Sequence, residues 1–129
     1  MTQQIATIDS VMNLAEAMSN MDGDAELLQE IVTIFMQTGA EQLATLAGAI
    51  AADEVRDVAI KAHGMKGGAS NFCARTFVAA ALRLELLAKS GTLVGAPALL
   101  ADMQASFAEL EELVQLINWD EVAANWASR

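Results

Sequence analysis

The chain of 129 residues contains one cysteine, one histidine, one proline and no tyrosine. A single cysteine, Cys73, excludes a disulfide within the chain, and together with one histidine it cannot form a zinc site of the usual ligand set. Because Cys73 also has no base near it in the sequence, a metalloenzyme and a nucleophilic hydrolase are both poor interpretations of this chain. The cysteine usage suits a reducing compartment.

Targeting and membrane segments are missing as well. No apolar run approaches the roughly 18 residues that a membrane-spanning helix needs. The start of the chain, MTQQIATIDSVMNLAEAM, lacks the positively charged n-region of a secretory signal. We therefore expect a cytoplasmic, unprocessed protein with no membrane as partner.

Basic residues are scarce, and their distribution is uneven. The chain has 7 Lys and Arg against 17 Asp and Glu, and its net charge of −10 argues against a nucleic-acid partner. Six of the seven basic residues lie between positions 56 and 89, where Asp57 and Glu85 are the acids, so this segment carries +4. The rest of the chain carries −14. The histidine, His63, lies inside the basic segment.

Hydrophobic residues make up 54% of the sequence, and alanine, leucine, valine and methionine dominate them. This composition and the helical spacing of the apolar positions predict an all-α protein, a single domain over 1–129. The predicted helices cover about 7–19, 24–50, 53–72, 75–89 and 97–117, with a short terminal turn after 118. We expect Asp24 and Asp53 to cap helices and Pro97 to begin one. The architecture predicted is an antiparallel up-down-up-down four-helix bundle with a short additional N-terminal helix.

His63 lies in the stretch HGMKGG at 63–68, within the third predicted helix. Its angular position is about 120° from the apolar stripe of that helix, so we expect it at the boundary or exposed. Ile60, Gly67 and Ser70 share its face, and glycine at 67 leaves space beside the imidazole. Gly64 and Gly68 point elsewhere, which favours a role in helix packing.

An exposed neutral imidazole is a nucleophile when one ring nitrogen is held as a donor and the other keeps its lone pair. Lys66 is placed to support a phosphoryl group as a point charge. Glu85, on the inner side of the next helix, is a candidate acceptor for the other ring nitrogen, and Lys89 follows it at a spacing that favours an ion pair. The alternatives are a solvated surface histidine, a solubilising lysine and an ordinary Glu85–Lys89 pair.

The stretch AHGMKGGASNFCA at 62–74, with LRLELL at 82–87, resembles the histidine-containing phosphotransfer (HPt) domain of bacterial phosphorelays. It is also similar to the phosphorylated N-terminal domain of chemotaxis histidine kinases. The segment 23–53 resembles the helix that precedes the histidine helix in the family, with its turn that starts at an aspartate, and the resemblance covers roughly residues 8–118. One position departs from the family pattern, since the glycine usual ten residues after the histidine is Cys73 here.

The resemblance implies that His63 is phosphorylated, that Lys66 supports the phosphoryl group and that Gly67 leaves room for the partner. It also places Glu85 where the family often has a polar partner of the histidine, and Lys89 where some members have a basic residue. Ile60, Ser70 and Arg56 are our candidates for partner docking.

By the same resemblance the partners are a receiver domain of a response regulator and a sensor histidine kinase, including the hybrid type. We expect a monomeric phosphoryl carrier with no kinase activity and no cofactor of its own, and Mg²⁺ on the partner receiver. The alternative function is a non-catalytic helical module that binds a signalling partner without being phosphorylated.

Overall fold

The computed structural model describes residues 11–129, and within this range all regular structure is helical. The helices are α1 (Leu14–Asn20), α2 (Ala25–Ala51), α3 (Val55–Ser70), α4 (Arg75–Lys89), α5 (Ala96–Val114) and α6 (Trp119–Ala127). Helices α2 to α5 pack on one another as an antiparallel four-helix bundle with short connections. The all-α bundle predicted from the sequence is therefore confirmed. Over the same residues, no helix is long and apolar enough to cross a membrane.

The core of the bundle is built around Phe35 of α2. Its ring packs edge-on against Phe72 and Phe77, with ring centroids 5.2 and 5.3 Å apart, and lies 5.9 Å from the ring of Phe107. Aromatic pairs in such arrangements contribute about 0.5–1.5 kcal/mol each beyond their buried area. The cluster joins α2, α4 and α5 to the turn that follows α3, so the end of α3 is firmly held.

Helix α1 is shorter than predicted. Residues 7–10 of the predicted helix lie outside the described range, and α1 begins at Leu14 because Asn13 is its N-cap. The Asn13 side chain accepts a hydrogen bond from the Glu16 N–H, and the Asn13 N–H donates to the Cys73 carbonyl at 3.1 Å. This second bond takes Asn13 out of the helix and places α1 against the turn between α3 and α4.

The start of α3 differs from the prediction, because Asp53 does not cap it. The N-cap position is Glu54, whose side chain makes no capping hydrogen bond in the described chain. Asp53 instead has a φ of 56° and ends α2. The Asp53 N–H donates to the Ile50 carbonyl and the Glu54 N–H to the Ala49 carbonyl, both at 3.0 Å, which is the Schellman arrangement of a helix C-terminus. Asp24, by contrast, caps α2 as predicted.

The end of α3 shows how Cys73 replaces the usual glycine. Cys73 has a φ of 58°, the left-handed conformation that glycine adopts most readily. Its N–H donates to the Ser70 carbonyl at 3.1 Å, and the Ala74 N–H donates to the Ala69 carbonyl at 3.2 Å. The cysteine therefore forms the same turn that glycine would form, and α4 starts at Arg75, as predicted.

The C-terminal region contains more helix than the sequence predicts. Pro97 lies in the first turn of α5, as expected, but α5 ends at Val114. Asn118 then caps a separate nine-residue helix, α6, by accepting a hydrogen bond from the Glu121 N–H. The indole of Trp126 packs directly on Gly23, so α6 covers the start of α2.

Candidate functional site

Helix α3 carries His63 on the side that faces away from the core. The buried residues of this helix recur at helical spacing and form its inner stripe: Val58, Ala62, Met65 and Ala69. The side chain of His63 is 64% exposed, as its angle from that stripe predicts. The imidazole is therefore accessible from outside the bundle.

Glu85 of α4 orients the imidazole from the neighbouring helix. Its carboxylate is only 1% exposed, and Oε2 lies 2.7 Å from His63 Nδ1. A buried carboxylate requires charged or hydrogen-bonding partners, because burial without them is very costly. The antiparallel packing of α3 on α4 brings these two residues together, although 22 positions separate them in the sequence.

Two lysines complete the surroundings of Glu85. Nζ of Lys66, on α3, lies 2.6 Å from Oε1, and Nζ of Lys89, one turn beyond Glu85 on α4, lies 2.9 Å from Oε2. Of these contacts, the one from Lys66 has the largest effect on the charge state of Glu85. The predicted site residues His63, Lys66, Glu85 and Lys89 thus meet at one carboxylate, and we call them the histidine cluster.

The charge state of the cluster follows from these contacts. Hydrogen bonding from Lys66, and then from Lys89 and His63, outweighs burial, which raises the pKa of the Glu85 carboxyl, and the net effect lowers that pKa to about 2. At neutral pH Glu85 is a carboxylate and can only accept hydrogen bonds. His63 Nδ1 must then carry the proton and donate, which leaves the lone pair of a neutral ring on Nε2.

The three glycines near His63 have different surroundings. A Cβ at Gly68 would lie 3.4 Å from the ring of Phe35, so Gly68 is a packing position, as predicted. Gly64 is not: apart from the local helix backbone, no atom of residues 11–129 lies within 4 Å of a Cβ added there. The packing role predicted for Gly64 is therefore wrong, because its direction leads to the surface. Gly67 is equally open, and it lies one turn from His63.

The three predicted docking residues lie outside the histidine cluster. Ile60 and Arg56 are exposed on α3, one and two turns before His63. Ser70 is also exposed, but its hydroxyl donates to the Lys66 carbonyl at 2.8 Å. The structure therefore places these residues around the cluster, and the hydrogen bond of the imidazole goes to Glu85 instead.

Two exposed residues of α4 were not singled out from the sequence. Leu82 and Leu86 lie three positions before and one after Glu85, and both are among the large exposed hydrophobic residues. The signal that could have found them is their helical spacing from an inward-facing acid, because positions i−3 and i+1 lie about 60° and 100° to the same side of it around a helix.

Other chemistry has little support in the described chain. Burial, and then the Glu16 carboxylate, raise the pKa of the Cys73 thiol, so this cysteine is protonated at neutral pH and is a poor nucleophile. Residues 11–129 contain no group of three or more histidine, cysteine, aspartate or glutamate side chains arranged to hold a metal ion. The histidine cluster is thus the site with evident chemistry.

Comparisons with known proteins agree with this geometry. The structure is similar to histidine-containing phosphotransfer protein B of Pseudomonas aeruginosa PAO1, with 29% identity and a TM-score of 0.70 over 80% of this chain and 87% of that one. It has the fold of a rice protein described as a histidine-containing phosphotransfer protein, with 15% identity and a TM-score of 0.75 over 96% and 91% of the two chains. A search of curated protein sequences finds no match. The family model of the Hpt domain matches residues 30–118, and the chain therefore belongs to the Hpt domain family.

Proposed function

We propose that this protein carries a phosphoryl group on Nε2 of His63 and exchanges it with the aspartate of a response-regulator receiver domain. The observation that carries the proposal is the 2.7 Å contact between His63 Nδ1 and the buried Glu85 carboxylate. A ring held in this way directs its free lone pair outward, where a partner can approach.

In the proposed transfer step one bond forms and one bond breaks. Nε2 attacks the phosphorus of an aspartyl phosphate, the Nε2–P bond forms, and the P–O bond to the aspartate breaks. The aspartate leaves as a carboxylate, and the Nδ1 proton stays between His63 and Glu85. The positive charge that develops on the ring is then balanced by the carboxylate behind it. Transfer to a receiver is the reverse of this step.

The two lysines have separable roles in this proposal. Lys66 is half-buried beside Oε1, where it keeps Glu85 ionised. Lys89 is exposed and shares Oε2 with the imidazole, so it is the lysine that we propose to reach a phosphoryl oxygen. Phosphoryl transfer needs further cationic charge on the moving group, and the Mg²⁺ of the receiver domain is the proposed source.

The charge distribution of the chain and its membership of the Hpt family indicate which classes of protein are its partners. Membership of the Hpt family implies a two-component phosphorelay. The +4 segment between 56 and 89 surrounds His63 and complements an acidic receiver pocket, while the −14 remainder disfavours other orientations. We propose a receiver domain and a sensor histidine kinase as partners, with the protein itself as a monomeric carrier.

The experiment is phosphoryl transfer from a panel of receiver domains labelled with radioactive phosphate. Wild-type protein should acquire acid-labile, alkali-stable label, and His63→Gln should acquire none. Equal labelling of the two proteins would place the phosphoryl group elsewhere. If neither protein is labelled by any receiver or by a small-molecule phosphoramidate, the non-catalytic interaction module becomes the better interpretation.

A further inference from the structure

We propose that α6 is a releasable strap, which opens from the protein as one unit while α2 to α5 stay packed. In the closed form the strap covers the start of α2, and in the open form it exposes an apolar stripe of its own. The inference does not depend on the proposed function, because no residue of the histidine cluster lies on α1, α2 or α6.

Helix α6 is attached to the rest of the protein by apolar packing. No residue of α6 is buried, whereas the shorter α1 buries Ala17 and Met18. The apolar side chains of α6 that pack on the core are only partly buried, and they are Trp119, Val122 and Trp126. The side-chain hydrogen bonds of the strap join residues three positions apart. Within residues 11–129, neither a side-chain hydrogen bond nor an ion pair joins α6 to another helix.

Trp126 makes the principal contact of the strap. Its indole occupies the space that a Cβ at Gly23 would take, in the turn between α1 and α2. Gly23 has a φ of 81°, the left-handed conformation that favours glycine, and its N–H donates to the Met18 carbonyl at 2.9 Å. The guanidinium of Arg129, the basic residue outside the +4 segment, lies 3.2 Å from the centroid of the indole. Gly23 is thus the seat of the strap, and Trp126 is the side chain that fills it.

The bundle core does not include α6. All four rings of the aromatic cluster lie between residues 35 and 107, and the Hpt family model matches residues 30–118, which end just before α6. Residues 115–118 connect α5 to α6. The Asn118 side chain caps α6 from within this connection, so its hydrogen bond to the Glu121 N–H is kept when the strap opens. Opening therefore breaks few contacts of the bundle.

Release of the strap changes which apolar surface is accessible. Trp119, Val122 and Trp126 are spaced i, i+3 and i+7, so they form one stripe along α6. Amphipathic helices bind apolar grooves through anchors at this spacing. Segments with few buried contacts open at a lower free energy than the whole domain. The closed strap therefore controls access to its own stripe and to the seat at Gly23.

Tryptophan emission provides the first test on the full chain. Both tryptophans lie on α6 and the chain has no tyrosine, so this emission reports on the strap, while far-UV circular dichroism reports on all the helices. In a urea titration the emission transition is expected at a lower urea concentration than the circular dichroism transition. Coincident transitions would overturn the inference, because α6 would then unfold together with the bundle.

Amide hydrogen exchange of full-chain variants provides the second test. Trp126→Ala should speed exchange of the α6 amides about tenfold or more, and should leave the amides of α3 and α4 within about twofold of wild type. Gly23→Ala approaches the same contact from the other side, because its methyl group displaces the indole. Adding Gly23→Ala to Trp126→Ala should therefore have no further effect on the α6 amides. Asn125→Ala, at an exposed position of α6, is the control and should exchange within about twofold of wild type.

Two results of the exchange experiment would overturn the inference. If Trp126→Ala speeds the amides of α3 and α4 as much as those of α6, the opening is global. If the α6 amides of wild-type protein already exchange at the rate of an unfolded peptide, the closed strap does not exist in solution.

Discussion

Nδ1 of His63 and Oε2 of Glu85 lie 2.7 Å apart across the interface of α3 and α4. The same oxygen contacts Nζ of Lys89, and the second oxygen of the carboxylate contacts Nζ of Lys66. One buried carboxylate thus determines which ring nitrogen holds the proton and which faces the solvent. The expected effects of several substitutions follow from this arrangement and from the packing around it.

Glu85→Gln should slow phosphoryl transfer more than it affects folding. Glutamine keeps the size of the side chain but loses the charge that balances the ring as Nε2 attacks. The loss of one charge-assisted hydrogen bond corresponds to about a tenfold or greater decrease in the single-turnover rate. Glu41→Gln, at an exposed position of α2, is the control and should transfer at the wild-type rate. Equal rates for the two variants would reduce Glu85 to a structural acid.

Acid should destabilise the wild-type protein partly through Glu85. The folded-state pKa of Glu85 is about 2, below its ordinary value of 4.5, so its stabilising contribution is complete above pH 4.5 and is lost as the pH falls toward 2. This difference in pKa between the unfolded and folded states corresponds to a decrease in the free energy of unfolding on the order of 3 kcal/mol between pH 4.5 and pH 2. Urea unfolding from pH 6 to pH 2 should show a smaller decrease for Glu85→Gln than for wild type. Parallel curves for the two proteins would contradict the lowered pKa.

Gly67→Ala should separate stability from function. A Cβ at this position meets open space in the described chain, so the free energy of unfolding should rise by up to about 1 kcal/mol from helix propensity. The same methyl group occupies the path of the partner, and transfer should fall about tenfold because of steric overlap. Gly48→Ala, in an equally open part of α2, should give the stability gain without the loss of transfer. A Gly67→Ala protein that transfers normally would show that the clearance is not needed.

Gly39→Ala should have the opposite effect on stability. The ring of Phe107 fills the space that a Cβ at Gly39 would take, and this ring is held in the aromatic cluster. Overpacking of this kind costs about 1–3 kcal/mol, which exceeds the gain of about 1 kcal/mol in helix propensity. Thermal and urea unfolding against Gly48→Ala provide the measurement. Equal stability of the two variants would contradict the close approach of α5 to α2.

Asp53→Gly should stabilise the protein by about 0.5–1 kcal/mol. Asp53 ends α2 with a φ of 56°, where an L-residue is strained and glycine is not. The side chain is exposed, so little packing is lost. The adjacent Ala52→Gly is the contrasting variant. Because Ala52 has a φ of −85°, glycine relieves no strain there and only adds conformational entropy to the unfolded chain. Ala52→Gly should be destabilised in the same urea titration, and a loss of stability in Asp53→Gly would contradict the strain at residue 53.

Much of the fold could be predicted because helices leave local signals. The cap at Asp24, the proline at the start of α5 and the apolar stripe of α3 each depend on residues within a few turns of one another. The errors at Asp53 and Asn13 both concern helix boundaries. The side chain of Asp53 suits an N-cap, but the residue lies in the turn that ends α2. At Asn13 a backbone hydrogen bond to the distant Cys73 carbonyl fixes where α1 begins, and the local sequence does not show such a contact.

The amino-acid sequence by itself determined the helical class, the +4 segment around His63 and the position of His63 outside the apolar stripe of α3. It also presented Glu85 as an inward-facing acid that needs a partner. Only the tertiary structure decided that both Lys66 and Lys89 contact this acid, that Gly64 is open while Gly68 packs, and that the imidazole turns toward α4. These features depend on the distance and rotation between packed helices, which arise from side chains throughout the core and not from the spacing of the site residues.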